Sequence, residues 1–215
     1  MNDTDQPIVA VIDDDESVRE SLRGLLETIS LKVALFSSVE AFLDVNPPIL
    51  PSCIVLDVRL PGASGFELQK QLIAADVDTP IVFITGHGDI PMCAAAMKAG
   101  AVDFLGKPFR DDELLQCVKD ALIRSAEQRR LSTERDEARR LLDLLTPREF
   151  EVMQLVITGM LNKQIAGELG TAEKTVKVHR GRVMEKLGVT SVAELVRVTQ
   201  RACLVPGARR KTKVQ

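Results

Sequence analysis

Hydrophobic positions follow two different rhythms along this chain. Over residues 8–124, short apolar runs alternate with longer amphipathic stretches. Ile8–Ile12, Val33–Phe36, Cys53–Leu56, Ile81–Ile84 and Val102–Leu105 predict strands buried on both faces. Between them, apolar residues recur at helical spacing. Val18, Leu22, Leu25, Leu26 and Ile29 form one stripe, and Leu114, Leu115, Val118, Ala121 and Leu122 another. Strands alternating with helices in this way predict an α/β doubly wound parallel sheet of five strands, with helices on both faces. Asn46–Pro51, with three prolines, predicts a loop.

Residues 122–145 contain neither Gly nor Pro and are rich in Arg, Glu, Leu and Ala, so they predict a continuing helix. Leu131, Ala138 and Leu145 are seven apart, but Glu134 interrupts the second seam position. That pattern favours a solvated connecting helix over a coiled coil. From Thr146 onward only helical spacing remains. Thr146–Glu149 reads as a capping box with Pro147 at the first helical position, and Gly159 ends that helix. A second helix spans about Leu161 to Leu169 and stops at Gly170. Thr171 is expected to cap a third, which runs through Leu187 to a stop at Gly188. Ser191–Glu194 is a further capping box opening a fourth helix, and the basic tail from Pro206 to Gln215 is expected to be disordered.

Composition narrows the function classes. The 215 residues favour two small domains over one large one. No apolar run is long enough for a membrane span, and residues 1–7 lack a signal-peptide pattern, so a cytoplasmic protein is expected. Cys53, Cys93, Cys117 and Cys203 form no C-x-x-C pair, and two histidines make a zinc site improbable. Without Trp or Tyr, the aromatic platform for a single strand or a sugar is missing. The net charge of -3 hides an asymmetry. Residues 1–125 carry 10 basic and 20 acidic side chains, whereas residues 146–215 carry 13 and six. An acidic first part and a basic last part suggest two tasks, the second on a polyanion.

Open parallel sheets bind ligands beyond the carboxyl ends of their strands. After the first predicted strand come Asp13, Asp14 and Asp15; after the third, Asp57; after the fourth, Thr85; after the fifth, Lys107 and Pro108. Carboxylates, a hydroxyl and an ammonium at one rim suit a hard divalent cation such as Mg²⁺ and a phosphoryl group. Asp57 is the candidate nucleophile, with the cation, Lys107 and the Thr85 hydroxyl neutralising or binding phosphoryl oxygens. Each residue also has a plainer reading. The aspartate triplet could be a helix cap, Lys107 a surface lysine, and a cis bond at Pro108 would fix the lysine's aim.

These motifs carry a family resemblance. Val11–Asp15, Leu56–Gly65, Ile84–Pro91 and Phe104–Phe109 resemble a response-regulator receiver domain, and the whole chain except its tail resembles the FixJ/NarL type. The resemblance implies the flavodoxin-like strand order 2-1-3-4-5. It implies a partner sensor histidine kinase that phosphorylates Asp57, and Mg²⁺ (or Mn²⁺ in its place) on Asp14, Asp57 and the main-chain carbonyl of Arg59, with Asp13 acting partly through water. Thr85 and Phe104 become a switch pair, although Phe104 on strand five also reads as ordinary core. The face formed by the helix at Ile90–Ala99, strand five and the last receiver helix, with the apolar Met92, Ala95, Ala96 and Ala99, becomes the signalling surface.

Asn162–Gly170 and Thr171–Arg182 have helix-turn-helix form: a short helix, a glycine-ended turn and a longer basic helix. A helical wheel places Val176, His179, Val183 and Leu187 inward and Lys174, Val178, Gly181 and Glu185 outward, flanked by Lys177, Thr175 and Arg182. Outward residues are placed for base edges, Val178 for a thymine methyl group, and Asn162, Lys163 and Thr171 for the phosphate backbone. A solvated basic face is the plainer alternative, and His179 reads as a packed, hydrogen-bonded histidine rather than a ligand. Residues 146–203 resemble a LuxR-type DNA-binding domain. Gly181 stands where relatives often carry a side chain, which either removes a base contact or permits closer approach to the groove.

The expected organisation is a receiver over 1–124, a helical linker over 125–145, an all-α four-helix helix-turn-helix domain over 146–203 and the tail over 204–215. The expected function is a phosphorylation-controlled transcription regulator that binds double-stranded promoter DNA. It would act as a homodimer on phosphorylation or on DNA, with RNA polymerase a further possible partner and no membrane. Two rivals stand beside it. A phosphatase-like enzyme with an Asp nucleophile would need a second Asp where Arg59 stands, and a phosphorylation-independent interaction protein would not need the full carboxylate–Thr–Lys set.

Overall fold

The computed structural model describes residues 6–46, 48–86 and 90–204. The chain divides into two compact units, Met1–Arg129 and Arg130–Gln215. The first is built on β1 (Ile8–Ile12), β2 (Lys32–Phe36), β3 (Cys53–Asp57), β4 (Ile81–Thr85) and β5 (Asp103–Gly106). All pairings are parallel and the order is β2-β1-β3-β4-β5. Helices α1 (Glu16–Glu27), α2 (Val39–Leu43), α3 (Gly65–Ala74), α4 (Ile90–Lys98) and α5 (Asp111–Asp143) follow the strands in turn.

Strand side chains alternate between two cores. Ala10, Ile12, Ile54, Leu56 and Phe83 pack with Val39 and Phe42 of α2, Leu68 and Leu72 of α3 and Ala96 of α4. Val9, Val11, Val55, Val82 and Ile84 pack with Leu22 and Leu26 of α1 and Leu114, Val118 and Ala121 of α5. Each such buried Val, Leu, Ile or Phe contributes about 1.5–3 kcal/mol. β3 and β4 are buried throughout, and β1 is buried except for Ile8. β2 and β5 are not: most of their residues are half-buried, because each has a neighbour on one side only. The expectation of five strands buried on both faces holds for the three inner ones.

The surface expected on α4 also changes. Ala96 is fully buried and Met92 packs half-buried against the same core, while Ala95 and Ala99 are exposed. Among the described residues the Asn46–Pro51 stretch is a loop; Pro47 lies outside them, as do His87, Gly88 and Asp89 of the fourth motif and the tail from residue 205. The four cysteines are free.

The stretch 122–145 without Gly or Pro forms helix as far as Asp143, as part of the 33-residue α5, and Leu144 and Leu145 lie beyond its end. Its last turns are not a solvated rod, however. Ala138, Leu142 and Leu145 are buried in the core of the second unit, while Leu131 is 52% exposed.

The second unit continues with α6 (Pro147–Ile157), α7 (Asn162–Glu168), α8 (Glu173–Lys186) and α9 (Val192–Arg201). The α6 box forms as read: Thr146 Oγ1 accepts from Glu149 N–H and the Glu149 carboxylate accepts from Thr146 N–H. At α9, Ser191 caps, but the Glu194 carboxylate reaches back to Thr190 instead. Thr171 does not cap α8; Ala172 occupies that position without a side-chain bond. Thr171 N–H instead closes the end of α7 on the Ala166 carbonyl, following Gly170 at φ +60°.

Candidate functional site

The acidic pocket forms where β1 and β3 end side by side. Asp13 directly follows β1, and Asp57 is the last residue of β3. Both are buried, as is Thr85 at the end of β4, while Asp14 is exposed. Lys107, beyond β5, is anchored by its own N–H on the Thr85 carbonyl at 2.7 Å, and the Lys107–Pro108 bond is cis. Lys107 Nζ donates to Asp13 Oδ2 at 2.6 Å and to Asp57 Oδ2 at 2.7 Å.

Each buried carboxylate is held twice. Asp13 Oδ1 accepts from Asp15 N–H and Asp57 Oδ1 from Arg59 N–H, each at 3.0 Å. The aspartate triplet therefore splits its work. Asp13 faces the lysine, Asp14 faces solvent, and Asp15 caps α1 by accepting from Ser17 and Val18 N–H. The plain reading of a cap is right for one residue of three.

Three carboxylates share the pocket with one ammonium. Burial pushes the Asp13 carboxyl above its ordinary value, and the bond from Lys107 opposes that push without cancelling it. For Lys107 burial works downward, yet its bonds to Asp13 and Asp57 outweigh it and hold the ammonium above its ordinary value. Ligand atoms of Asp13, Asp14 and Asp57 all lie within 4.8 Å of one another, which fits a small divalent cation bound by oxygen.

Two neighbours of this pocket escaped the sequence reading. Arg19 Nη1 donates to the Asp13 carbonyl at 2.7 Å, one turn beyond the Asp15 cap. Gly65 opens α3 against the back of Asp57, where a Cβ would stand 2.5 Å from the Asp57 carbonyl oxygen. Gly65 lies in the same motif as Asp57, but the spacing alone does not reveal that the chain folds back to press it on the strand end. Phe104 on β5 is half-buried, its ring centroid 6.2 Å from that of Phe83. Its N–H is held by Asp103 Oδ1, while Asp103 Oδ2 accepts from the Cys117 thiol.

In the second unit, α7 and α8 form the expected helix pair. Val176, Val183 and Leu187 are buried, and Lys174, Thr175, Lys177, Val178, Gly181 and Arg182 are exposed on α8. Lys163 is exposed, and Asn162 and Thr171 are half-buried. His179 is packed as read, but its buried Nδ1 has no hydrogen-bond partner. Asn162 Oδ1 accepts from Arg180 Nη1 at 3.1 Å, a link between the two helices that the wheel did not single out. At the far end of α8, Lys186 bonds Glu149, whose carboxyl that bond and Thr146 N–H hold down at about 2.

Comparisons with known proteins match each of the two units. Residues 9–119 match the response regulator receiver domain, and residues 143–199 match the bacterial regulatory proteins of the luxR family. Nodulation protein W of Bradyrhizobium diazoefficiens is 49% identical over 193 residues, covering 90% of this chain and 85% of its own. The response regulator protein TodT of Pseudomonas putida F1 is 46% identical, with 90% and 86% covered. The transcriptional regulatory protein FixJ of Azorhizobium caulinodans is 46% identical, with 92% and 94% covered. Among solved structures, the response regulator StyR shares 50% identity and a TM-score of 0.79, covering 91% of this chain and 99% of that one. Full-length FixJ from B. japonicum shares 40% identity and a TM-score of 0.56, with 92% and 97% covered. The parallel sheet with its acidic rim, the helix pair and these matches identify the chain as a member of the two-component response regulators of FixJ type, transcription regulators that join a receiver to a LuxR-type DNA-binding domain.

Proposed function

We propose that Asp57 accepts a phosphoryl group from a partner sensor histidine kinase and that this controls binding of the helical domain to promoter DNA. The observation that carries the proposal is the Lys107 ammonium shared between the two buried carboxylates. An Asp57 carboxylate oxygen attacks phosphorus, and the bond from phosphorus to the donor nitrogen breaks. Lys107 then neutralises part of the charge on the transferred group, and the Thr85 hydroxyl donates to one of its oxygens. Asp13, Asp14, Asp57 and the Arg59 carbonyl would hold Mg²⁺, or Mn²⁺ in its place, which supplies positive charge for the phosphoryl oxygens.

Phosphorylation would bias a two-state receiver through Thr85 and Phe104. On DNA, Lys174, Lys177, Val178 and Gly181 of α8 would face base edges, Lys177 and Lys174 toward guanine acceptors. Asn162, Lys163, Thr171, Thr175 and Arg182 would hold phosphates and so fix the register. Paired chains would place two such helices in successive major grooves. The receiver of residues 1–124, the linker of 125–145 and the DNA-binding domain of 146–203 are the working parts of this reading.

The test is labelling by acetyl phosphate with Mg²⁺, read by intact mass and by footprinting on promoter fragments. Wild type should gain one phosphoryl group and bind DNA more tightly, and Asp57→Asn should do neither. Equal DNA affinity with Asp57 fully phosphorylated would overturn phospho-control.

A further inference from the structure

One ammonium ties together three elements of the helical unit. Lys186 is the last residue of α8, and its Nζ donates to the Leu144 carbonyl just beyond α5 at 3.1 Å and to Glu149 Oε2 at 2.7 Å. The same Oε2 accepts the N–H of Thr146, the N-cap of α6, at 2.9 Å. Glu149 is buried, 2% exposed, so its charge is committed to these partners. Apolar packing between α6 and α8 sets their separation, and a directional bond at one end of α8 adds a constraint on its tilt. A buried carboxylate bonded to an ammonium is directional, and parting the pair leaves a charge without compensation.

The position of this bond matters because α8 is a lever. Its 14 residues span about 21 Å. A tilt of about 5° at the Lys186 end would move the other end by about 2 Å, whereas recognition geometry tolerates about 0.5 Å. Lys174, Thr175, Lys177 and Val178 stand in that other half.

We propose that Lys186 is a positioning residue for DNA readout. Its bonds to Glu149 and to the Leu144 carbonyl set the tilt of α8 against α6 and the end of α5, and so the place of Lys174, Lys177 and Val178 on the base edges. This rests on the DNA reading above. It differs from a phosphate contact, because two of the three Nζ protons already serve protein acceptors and the Glu149 carboxylate would repel a phosphate.

Full-length wild type, Lys186→Met, Lys186→Arg and Glu149→Gln are compared in two measurements. Residual dipolar couplings give the angle of α8 to α6 without DNA. Affinities for a duplex selected from random sequence by the wild type, and for a scrambled duplex, are measured across a salt series. Lys186→Met and Glu149→Gln should both tilt α8 and lower the selected-to-scrambled ratio about tenfold, with the salt slope unchanged, and Lys186→Arg should restore angle and ratio. An unchanged α8 angle in both variants overturns the proposal whatever the DNA result. So does a salt slope reduced by about 0.9 in Lys186→Met together with tighter binding by Glu149→Gln, the signature of a phosphate contact. If the wild type shows no sequence preference, the DNA reading falls while the angle still judges the clamp. If a single variant does not fold, the double variant Glu149→Gln/Lys186→Gln, which buries no charge, must show the same tilt or the proposal fails.

Discussion

Two glycine-to-alanine substitutions should have opposite signs in this protein. Both Gly65 and Gly181 lie in helices, and neither has the positive φ that would disfavour alanine. Propensity alone therefore favours alanine at each, by up to about 1 kcal/mol. At Gly181 a Cβ would meet nothing within 4 Å, so Gly181→Ala should keep that full gain. At Gly65 the Cβ would stand 2.5 Å from the Asp57 carbonyl oxygen, 3.0 Å from Leu56 Cγ and 3.2 Å from Phe83 Cε1. Ordinary contact needs about 3.4 Å or more, so α3 and the end of β3 must part by nearly 1 Å. Overpacking of this kind costs about 1–3 kcal/mol, so even a full propensity gain leaves a net loss of up to about 2 kcal/mol. The strand that yields carries Asp57, the proposed phosphoacceptor, and displacements of about 1 Å at a reacting group can cost 100-fold in rate. Native-state hydrogen exchange in β3 and α8 peptides would read the two units separately, and acetyl phosphate labelling would read the pocket. Gly65→Ala should weaken protection in β3 and slow labelling at least tenfold. Wild-type protection and labelling in Gly65→Ala would refute the steric argument, and a loss of protection in Gly181→Ala would refute the open-space argument.

Three further outcomes follow from the charges. Lys107→Met leaves the Asp13 and Asp57 carboxylates facing each other, so it should destabilise the receiver by about 3 kcal/mol without divalent cation, with part regained in millimolar Mg²⁺ on thermal unfolding. Glu149 has a folded value of about 2 against an ordinary 4.5. Its contribution is therefore present above pH 4.5 and lost as pH falls toward 2. The shift corresponds to about 3 kcal/mol, but Lys186 remains 35% exposed, so screening reduces it to about 1–2 kcal/mol. Urea titrations read at the Met153 methyl signal should show Glu149→Gln less stable than wild type at pH 7, with the gap closing between pH 4.5 and 2. Lys177→Ala should weaken binding to the preferred duplex and relax sequence preference with the slope of log K against log salt little changed; a slope lowered by about 0.9 with preference kept would place Lys177 on a phosphate instead and refute the base-edge assignment.

Much of the pocket was legible because its residues sit at strand ends. A strand is recognised from its own apolar run, and the residue after it is then known to face the rim. Asp13, Asp57, Thr85 and Lys107 were placed that way. The inward and outward faces of α8 were equally legible, since a helical wheel needs only local spacing. Phe104, by contrast, stands on an edge strand, so its half-burial depends on how β5 is covered rather than on its own run.

The order of apolar and polar residues was enough to define two folding units, the strand and helix sequence of the first, the caps of α6 and α9, and the chemistry gathered at one rim. These properties arise from neighbours a few positions apart, which is the range over which periodicity and capping act. Burial at the sheet edges, the packing of Ala138, Leu142 and Leu145 into the helical core, the closeness of Gly65 to Asp57 and the bond of Lys186 to Glu149 came only with the three-dimensional arrangement. Each joins residues distant in sequence, depends on which strand lies beside which or, for Gly65 and Asp57, depends on how the β3–α3 connection folds back on the strand end. Nothing in the local spacing of either partner encodes such a contact; it exists only once packing has brought the two surfaces together.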